Sequence, residues 1–237
     1  MFTIPSDEVG IETATLAALR DFRDVCLGGW GMAGGSLRVP DQVWVDSGWA
    51  ESQMVVYAFV RESGDRFRPT KGHGQSQDNR GRYYTRPQRR TAEIIHIGDH
   101  YHAARQKADR VHLIEIDADY WKTWVHRRLS TATDSPGAMT FYHAMPQEHR
   151  TLSHHLTAEK QVEEFVAGKG SVIRWVRVRH SNHWLDCLYA ASAAGHLCGA
   201  RLIQTAAPVE QRIAVQQKTT GFRTPDGRAF LATERKD

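Results

Sequence analysis

The sequence predicts an α/β fold. Short apolar or alternating runs that suit strands take turns with longer stretches of helical period. No repeat or low-complexity tract breaks that alternation, and the acids Asp46 and Asp117 close two of the predicted strands. Ile11–Leu27 reads as a helix with Ile11, Thr15, Leu16, Leu19, Phe22 and Cys26 on one face, stopped by Gly28 and Gly29. Gln42–Asp46 holds the run Val43-Trp44-Val45 of a buried strand, and Ala50–Ser63 has the length and Gly/Ser boundaries of a helix. Phe67–Lys71 is a strand ended by Gly72, and Gly72–Arg90 a mobile loop almost without aliphatic residues. Thr91–Ile97 and His112–Asp117 are strand-like. Asp119–Ser130 is a helix burying Tyr120, Trp121, Trp124, Val125 and Leu129. Met139–His143 reads as extended, Thr157–Ala167 as helix and Ser171–Arg179 as a strand with one wet face. Ser181 or Asn182 caps a last helix whose apolar face uses Leu185, Leu188, Tyr189, Ala193 and Leu197. The expected domain spans residues 10–205, followed by a polar tail over 206–237.

Composition narrows the class. With 237 residues, 41% hydrophobic and 24% charged, the chain is long enough to bury a core and too ordinary to be disordered or fibrous. No apolar run approaches the ~20 residues of a membrane span, and the first twenty residues lack the basic start of a secretory signal. Three cysteines at no zinc-like spacing read as free thiols, so the expected location is the cytoplasm, with no membrane partner.

Charge is uneven along the chain. Residues 1–52 carry three basic and eight acidic side chains, whereas residues 61–90 carry nine basic and three acidic ones. Lys71, Arg80, Arg82, Arg86, Arg89 and Arg90 are the candidate contacts to a phosphate backbone, and Tyr83 and Tyr84 offer stacking faces. The plain alternative is a solvated loop that maintains solubility.

Several motifs are read and set aside. Gly29-Trp30-Gly31-Met32-Ala33-Gly34 fits G-x-G-x-x-G by letter, but a helix precedes it and a strand follows, the reverse of a dinucleotide site, so it is a turn. No G-x-x-x-x-G-K-[ST] occurs, which excludes a P-loop ATPase in this chain. Thirteen histidines, including His96, His100, His102, His154 and His155, complete no zinc-like set and read as surface side chains. Asp46 closes a strand where α/β sheets present ligands. Asp186 interrupts the apolar face of the last helix, where a carboxylate is costly unless paired or bound to a cation. From spacing alone two readings stand: a divalent-cation site, or a helix cap at Asp46 and a backbone-bonded Asp186.

Six short blocks in order carry a resemblance. They are Val43-Trp44-Val45-Asp46-Ser47-Gly48, Val56-Tyr57, Pro69-Thr70-Lys71-Gly72, Ile116–Lys122, Leu156-Thr157-Ala158-Glu159, and Asn182–Ala190. Over roughly residues 12–200 the chain resembles the nuclease domain of lambda-type phage terminase large subunits. The resemblance implies a ribonuclease-H-like fold, incomplete at its N-terminal strands. The implied activity is an endonuclease that cuts concatemeric DNA during packaging, using Mg²⁺ or Mn²⁺, with two ions clamping attacking and leaving oxygens. It carries Asp46 and Asp186 across as catalytic metal ligands, with Lys71 and Glu159 in supporting positions and Asp117 outside the first choice. It implies double-stranded DNA as substrate, and the portal and small terminase subunit as further partners, in the bacterial host cytoplasm.

Departures from the family pattern shape the expectations. The family's first catalytic aspartate, on a strand upstream of the helix matching Ile11–Leu27, has no counterpart here, and neither does the ATPase motor. His183 stands where the family usually has glutamate, and the segment from Gly72 to Arg110 is longer than the usual connection. Three explanations fit: half of a split terminase whose ATPase or N-terminal portion is a separate chain, a truncated remnant, or a non-catalytic DNA- or portal-binding subunit.

Overall fold

Three strand segments, over residues 43–46, 67–73 and 111–117, align in parallel and set the frame of the molecule. The computed structural model describes residues 6–32, 34–49, 52–74, 83–166, 168 and 170–200, so the tail expected over 206–237 lies outside the described residues. In chain order the elements are α1 (Ser6–Val9), α2 (Ile11–Gly28), β1 (Trp30–Gly31), β2 (Leu37–Arg38), β3 (Val43–Asp46), α3 (Gln53–Ser63), β4 (Phe67–His73), β5 (Ile94–Ile97), β6 (Tyr101–Gln106), β7 (Val111–Asp117), α4 (Ala118–Leu129), α5 (Arg150–Leu156), β8 (Glu159–Val166), β9 (Gly170–Arg177) and α6 (His183–Leu197). The α/β class expected from the sequence is the one observed.

The main sheet has the order β3-β4-β7-β6-β5. β3, β4 and β7 run parallel, with Asp46 opposite Thr70 and Thr70 opposite Ile114; β6 and β5 are antiparallel additions. Because strand side chains alternate between faces, Trp44, Asp46, Thr70, Ile114 and Ile116 share one face, and Val43, Phe67, Lys71, His73, Val111 and Glu115 the other. The second face packs under α2 and α3 through Cys26, Val43, Val56, Tyr57, Phe59, Val60, Phe67 and Val111. The first packs under α4, α5 and α6 through Tyr101, Ile114, Ile116, Trp121, Val125, Leu156, Leu185 and Tyr189. Burying one such aliphatic or aromatic side chain contributes about 1.5–3 kcal/mol, so this double-faced burial anchors the sheet end that carries the acids.

Several local expectations change. Thr157–Ala167 is not a helix. Its Glu/Lys/Gln-rich residues are pulled into β8 by antiparallel pairing with β9, from Glu159 opposite Arg177 to Val166 opposite Gly170, and tertiary pairing overrides weak helix propensity. The helix there is α5, just upstream. β4 runs through Gly72 to His73. β6 lies between β7 and β5 in a stretch read as part of a long connection. Ile11 and Phe22 of α2 are exposed while Ala14 is buried. Met139–His143 forms no regular strand. The G-x-G-x-x-G letters fall, as expected, at a turn, in the β1–β2 hairpin. There Gly29 ends α2 at φ 73°, and a Cβ would stand 2.9 Å from the Arg38 carbonyl oxygen. Among the described residues no helix is long and apolar enough to cross a membrane.

Candidate functional site

The parallel strands end on one side of the sheet, and there the chain gathers its acids. Asp46 is the last residue of β3. Its neighbour Ser47 is 2% exposed and locked to β4, with both its backbone N–H and its hydroxyl donating to the Thr70 carbonyl at 2.8 and 2.9 Å. Asp46 itself is exposed, and its Oδ1 accepts the Gly48 N–H at 2.8 Å, so the carboxylate tightens the turn and does not cap α3.

Asp186 arrives from the other direction, on the first turn of α6. Glycine at position 72 lets this helix sit close. The Tyr189 hydroxyl lies over β4, where a Cβ on residue 72 would be 2.3 Å from it. Asp186 is held by two buried side chains. Lys122 of α4 places its Nζ 3.3 Å from Asp186 Oδ1 and 2.8 Å from Glu159 Oε2. Asn182 donates its Nδ2 to Asp186 Oδ2 at 3.0 Å and to Glu159 Oε1 at 2.6 Å. Lys122, Glu159 and Asn182 are 9%, 7% and 3% exposed, so the ring is shielded from water except on the Asp186 side. Lys122 also lies 5.6 Å from the centre of the Tyr189 ring.

Burial pushes the Asp186 carboxyl above the usual carboxylate range; Lys122 opposes that shift, and the charges of Glu159 and Asp46 add to it. Burial likewise raises Tyr189 well above its ordinary value, reinforced by Asp186, Asp46 and Glu159. The sheet end thus gathers negative charge around one internal ammonium.

The remaining candidates are distributed differently. Lys71 is on the opposite face of β4, opposite Glu115 of β7, where its charge helps keep Glu115 ionised. Arg86, Arg89 and Arg90 are exposed, while Arg80 and Arg82 lie outside the described residues. Asp117 caps α4, accepting the Tyr120 N–H at 3.1 Å, and pairs with His100 Nδ1 at 2.8 Å. His102 is buried on β6, not a surface side chain, and burial lowers its pKa. Asn182 occupies the cap position of α6 but makes no side-chain cap bond, because its amide is turned to the two carboxylates.

Sequence reasoning gave Lys122 no role, quoting it only within a family-like block, and read Asn182 as a cap candidate and as part of another such block. The available signal was the lysine's own position: it sits between Trp121 and Val125 on a helix with an apolar face, where an ammonium needs a buried counter-charge.

Among the described residues no group of three or more His, Cys, Asp or Glu side chains is arranged to hold a metal ion. What the sheet end offers is two carboxylates, one open to solvent and one half-screened. That oxygen-only pair suits a hard cation that keeps most of its water, such as Mg²⁺, and not a closed protein cage.

No curated protein and no solved structure matches the chain. Residues 9–207 match the family model of the terminase large subunit gpA endonuclease domain, and the chain belongs to that family.

Proposed function

We propose that this chain, through a domain spanning residues 10–205, is the DNA-cleaving part of a phage terminase large subunit. It cuts concatemeric DNA during packaging by divalent-metal-assisted phosphodiester hydrolysis. The observation that supports the reading is that α6, which carries Asp186 in its first turn, packs against β3, which ends in Asp46. Asp46 and Asp186 would hold Mg²⁺ or Mn²⁺, which would supply Lewis-acid polarisation of the scissile phosphate and a more acidic attacking water. Asn182 and Lys122 fix the orientation of Asp186. Arg86, Arg89 and Arg90 contact backbone phosphates without reading sequence, as do Arg80 and Arg82 by their place in the same basic segment.

A partner chain belongs to this reading. β3 is a terminal strand of its sheet. Its Val43 and Ser47 N–H groups point to β4, and alternation turns the backbone groups of Trp44 and Asp46 outward. Such an edge can accept a strand from another polypeptide, here the terminase ATPase or N-terminal portion, which would bring a further acid beside Asp46. The portal and small terminase subunit are further partners of the assembly, and the bacterial host cytoplasm is its location.

Plasmid cleavage with Mn²⁺, with the chain alone and with the product of the adjacent upstream reading frame, tests the proposal. Cutting that requires the partner and is lost at least ~100-fold in both Asp46→Asn and Asp186→Asn is the expected result. Salt-sensitive DNA binding without cleavage under any pairing supports the other reading, a non-catalytic DNA- or portal-binding subunit. The Arg86→Gln, Arg89→Gln, Arg90→Gln triple variant is expected to bind DNA more weakly, with a salt slope shallower by about two to three; an unchanged slope makes the cluster a solvated surface.

A further inference from the structure

We infer that the cavity beside α4, at the ends of β4 and β7, takes an unpaired nucleobase of a DNA strand. The base stacks on the flat side chains of the cavity, and the strand's phosphates lie at Arg127 and Arg128. The inference deepens the DNA-cleaving reading, on which it rests for the identity of the ligand, by naming a single-stranded segment as part of the substrate. It needs no metal at Asp46 or Asp186.

The cavity encloses about 540 Å³, a volume usual for small-molecule sites. His73 and Gly74 of the β4 end and Asp117 of the β7 end meet α4 and the β8–β9 ribbon there. Polar bonds tie the ribbon to the helix. Gln161 donates its Nε2 to the Thr123 hydroxyl at 2.6 Å, and Trp175 donates its Nε1 to the Asp119 carbonyl at 3.1 Å. Three flat groups line the space so formed. Tyr83 is 63% exposed. His100, held at φ 54°, stacks 3.6 Å from Tyr120 with the rings 2° from parallel, and its side chain stays 38% exposed. The Arg128 guanidinium lies 3.4 Å over the Trp124 ring. Nucleobases stack on aromatic rings and on guanidinium planes alike.

Charge orients the ligand. Asp117 and Asp119 are half-buried in the cavity, near the 5% exposed Trp175, whereas Arg127 is exposed at its rim. Among the described residues no acid pairs with Arg128, whose Nη1 reaches only the Trp124 carbonyl, at 3.4 Å. A phosphate is repelled by the inner acids and drawn to the rim arginines. The amino group of a base is a donor that a carboxylate accepts, as in Asp or Glu contacts to cytosine N4. A base stacked and paired in a duplex cannot enter such a space; one taken out of the stack can. The position also suits the substrate. Lys122 and Thr123 are consecutive on α4, one turned to Glu159 and Asp186, the other to the cavity. Along β8, Glu159 and Gln161 are two residues, or about 7 Å, apart, so a strand seated here runs beside the candidate site.

The test is fluorescence anisotropy of the full chain in EDTA, so that no readout depends on cutting. The probes are a labelled oligodeoxycytidylate of about eight nucleotides, an abasic strand of the same length and charge, and a short duplex. Wild type is expected to bind the normal strand at least ~5-fold tighter than the abasic one, the worth of one stacked base. Tyr83→Ala, at an exposed ring, is expected to bring that ratio toward one and to leave duplex affinity unchanged, while Tyr83→Phe keeps the ratio. Arg127→Gln is expected to weaken both single strands alike. Equal affinity of wild type for the two strands, or an unchanged ratio in Tyr83→Ala, overturns the inference. So does equal weakening of strand and duplex in that variant. Deoxycytidine monophosphate bound as tightly as the strand overturns it in favour of a free nucleotide. Failure of the underlying reading looks different: plasmid stays uncut under every pairing while the strand ratio and its loss in Tyr83→Ala persist.

Discussion

Asp46 and Asp186 lie at the same sheet end in opposite surroundings. Asp186 is screened, paired to an ammonium on one oxygen and an amide on the other, and its supports are buried. Asp46 is exposed and held by one backbone N–H in a turn, at the end of an edge strand. One carboxylate is preorganised by the fold; the other is presented at the boundary where another strand can join. The difference teaches that the chain has built the helix side of its site and left the strand side open.

The largest expected contrast is in stability. Glu159→Ala removes a buried charge partner and leaves Lys122 and Asn182 short of bonds, so it is expected to lower the unfolding free energy by about 3 kcal/mol. Asp46→Asn, on an exposed turn whose single bond an amide oxygen can still accept, is expected to change it by no more than ~0.5 kcal/mol. Urea unfolding of the two variants beside wild type checks this. Equal losses would erase the distinction between a built side and an open one.

A smaller effect sharpens the comparison on the opposite face of the sheet, where His73, His102 and Glu115 meet. Glu115 is depressed below its ordinary 4.5, chiefly by its bond to His73, against the opposing effect of burial. Its stabilisation is therefore present above pH 4.5 and lost as pH falls through the folded value. His102 is lowered from 6.5, first by burial, so the unfolded chain takes up its proton earlier. That stabilisation is present above pH 6.5 and is also lost on acidification. Thermal melts between pH 7 and 4 are expected to show a falling Tm, with the portion below 4.5 reduced in Glu115→Gln. A profile unchanged in that variant contradicts the assignment.

Much of this architecture was legible in the residues. Val43–Val45 announces a strand because its apolar side chains must be buried on both faces of a parallel sheet, and Phe67–Lys71 and His112–Asp117 also fall within observed strands. Asp46 and Asp186 were visible as acids where acids are costly or useful. What escaped was set by distant partners. β8 has the composition of a helix and becomes a strand only because β9 is there to pair with it. β6 is masked by His102, which reads as a surface side chain and is buried by the strand's place in the sheet. Lys122 and Asn182 acquire their roles from Glu159, 37 and 23 residues away in sequence respectively. No local period carries that information.

The central claim is that Asp46 and Asp186 grip one shared cation, and localised oxidative cutting tests it most directly. Fe²⁺ loaded in place of Mg²⁺, with ascorbate and peroxide, generates radicals that cleave the backbone beside the bound ion. The account predicts two cuts, near residues 46 and 186, both suppressed by excess Mg²⁺ and both lost in Asp46→Asn. Cutting near only one of the two positions, or elsewhere in the chain, would contradict it.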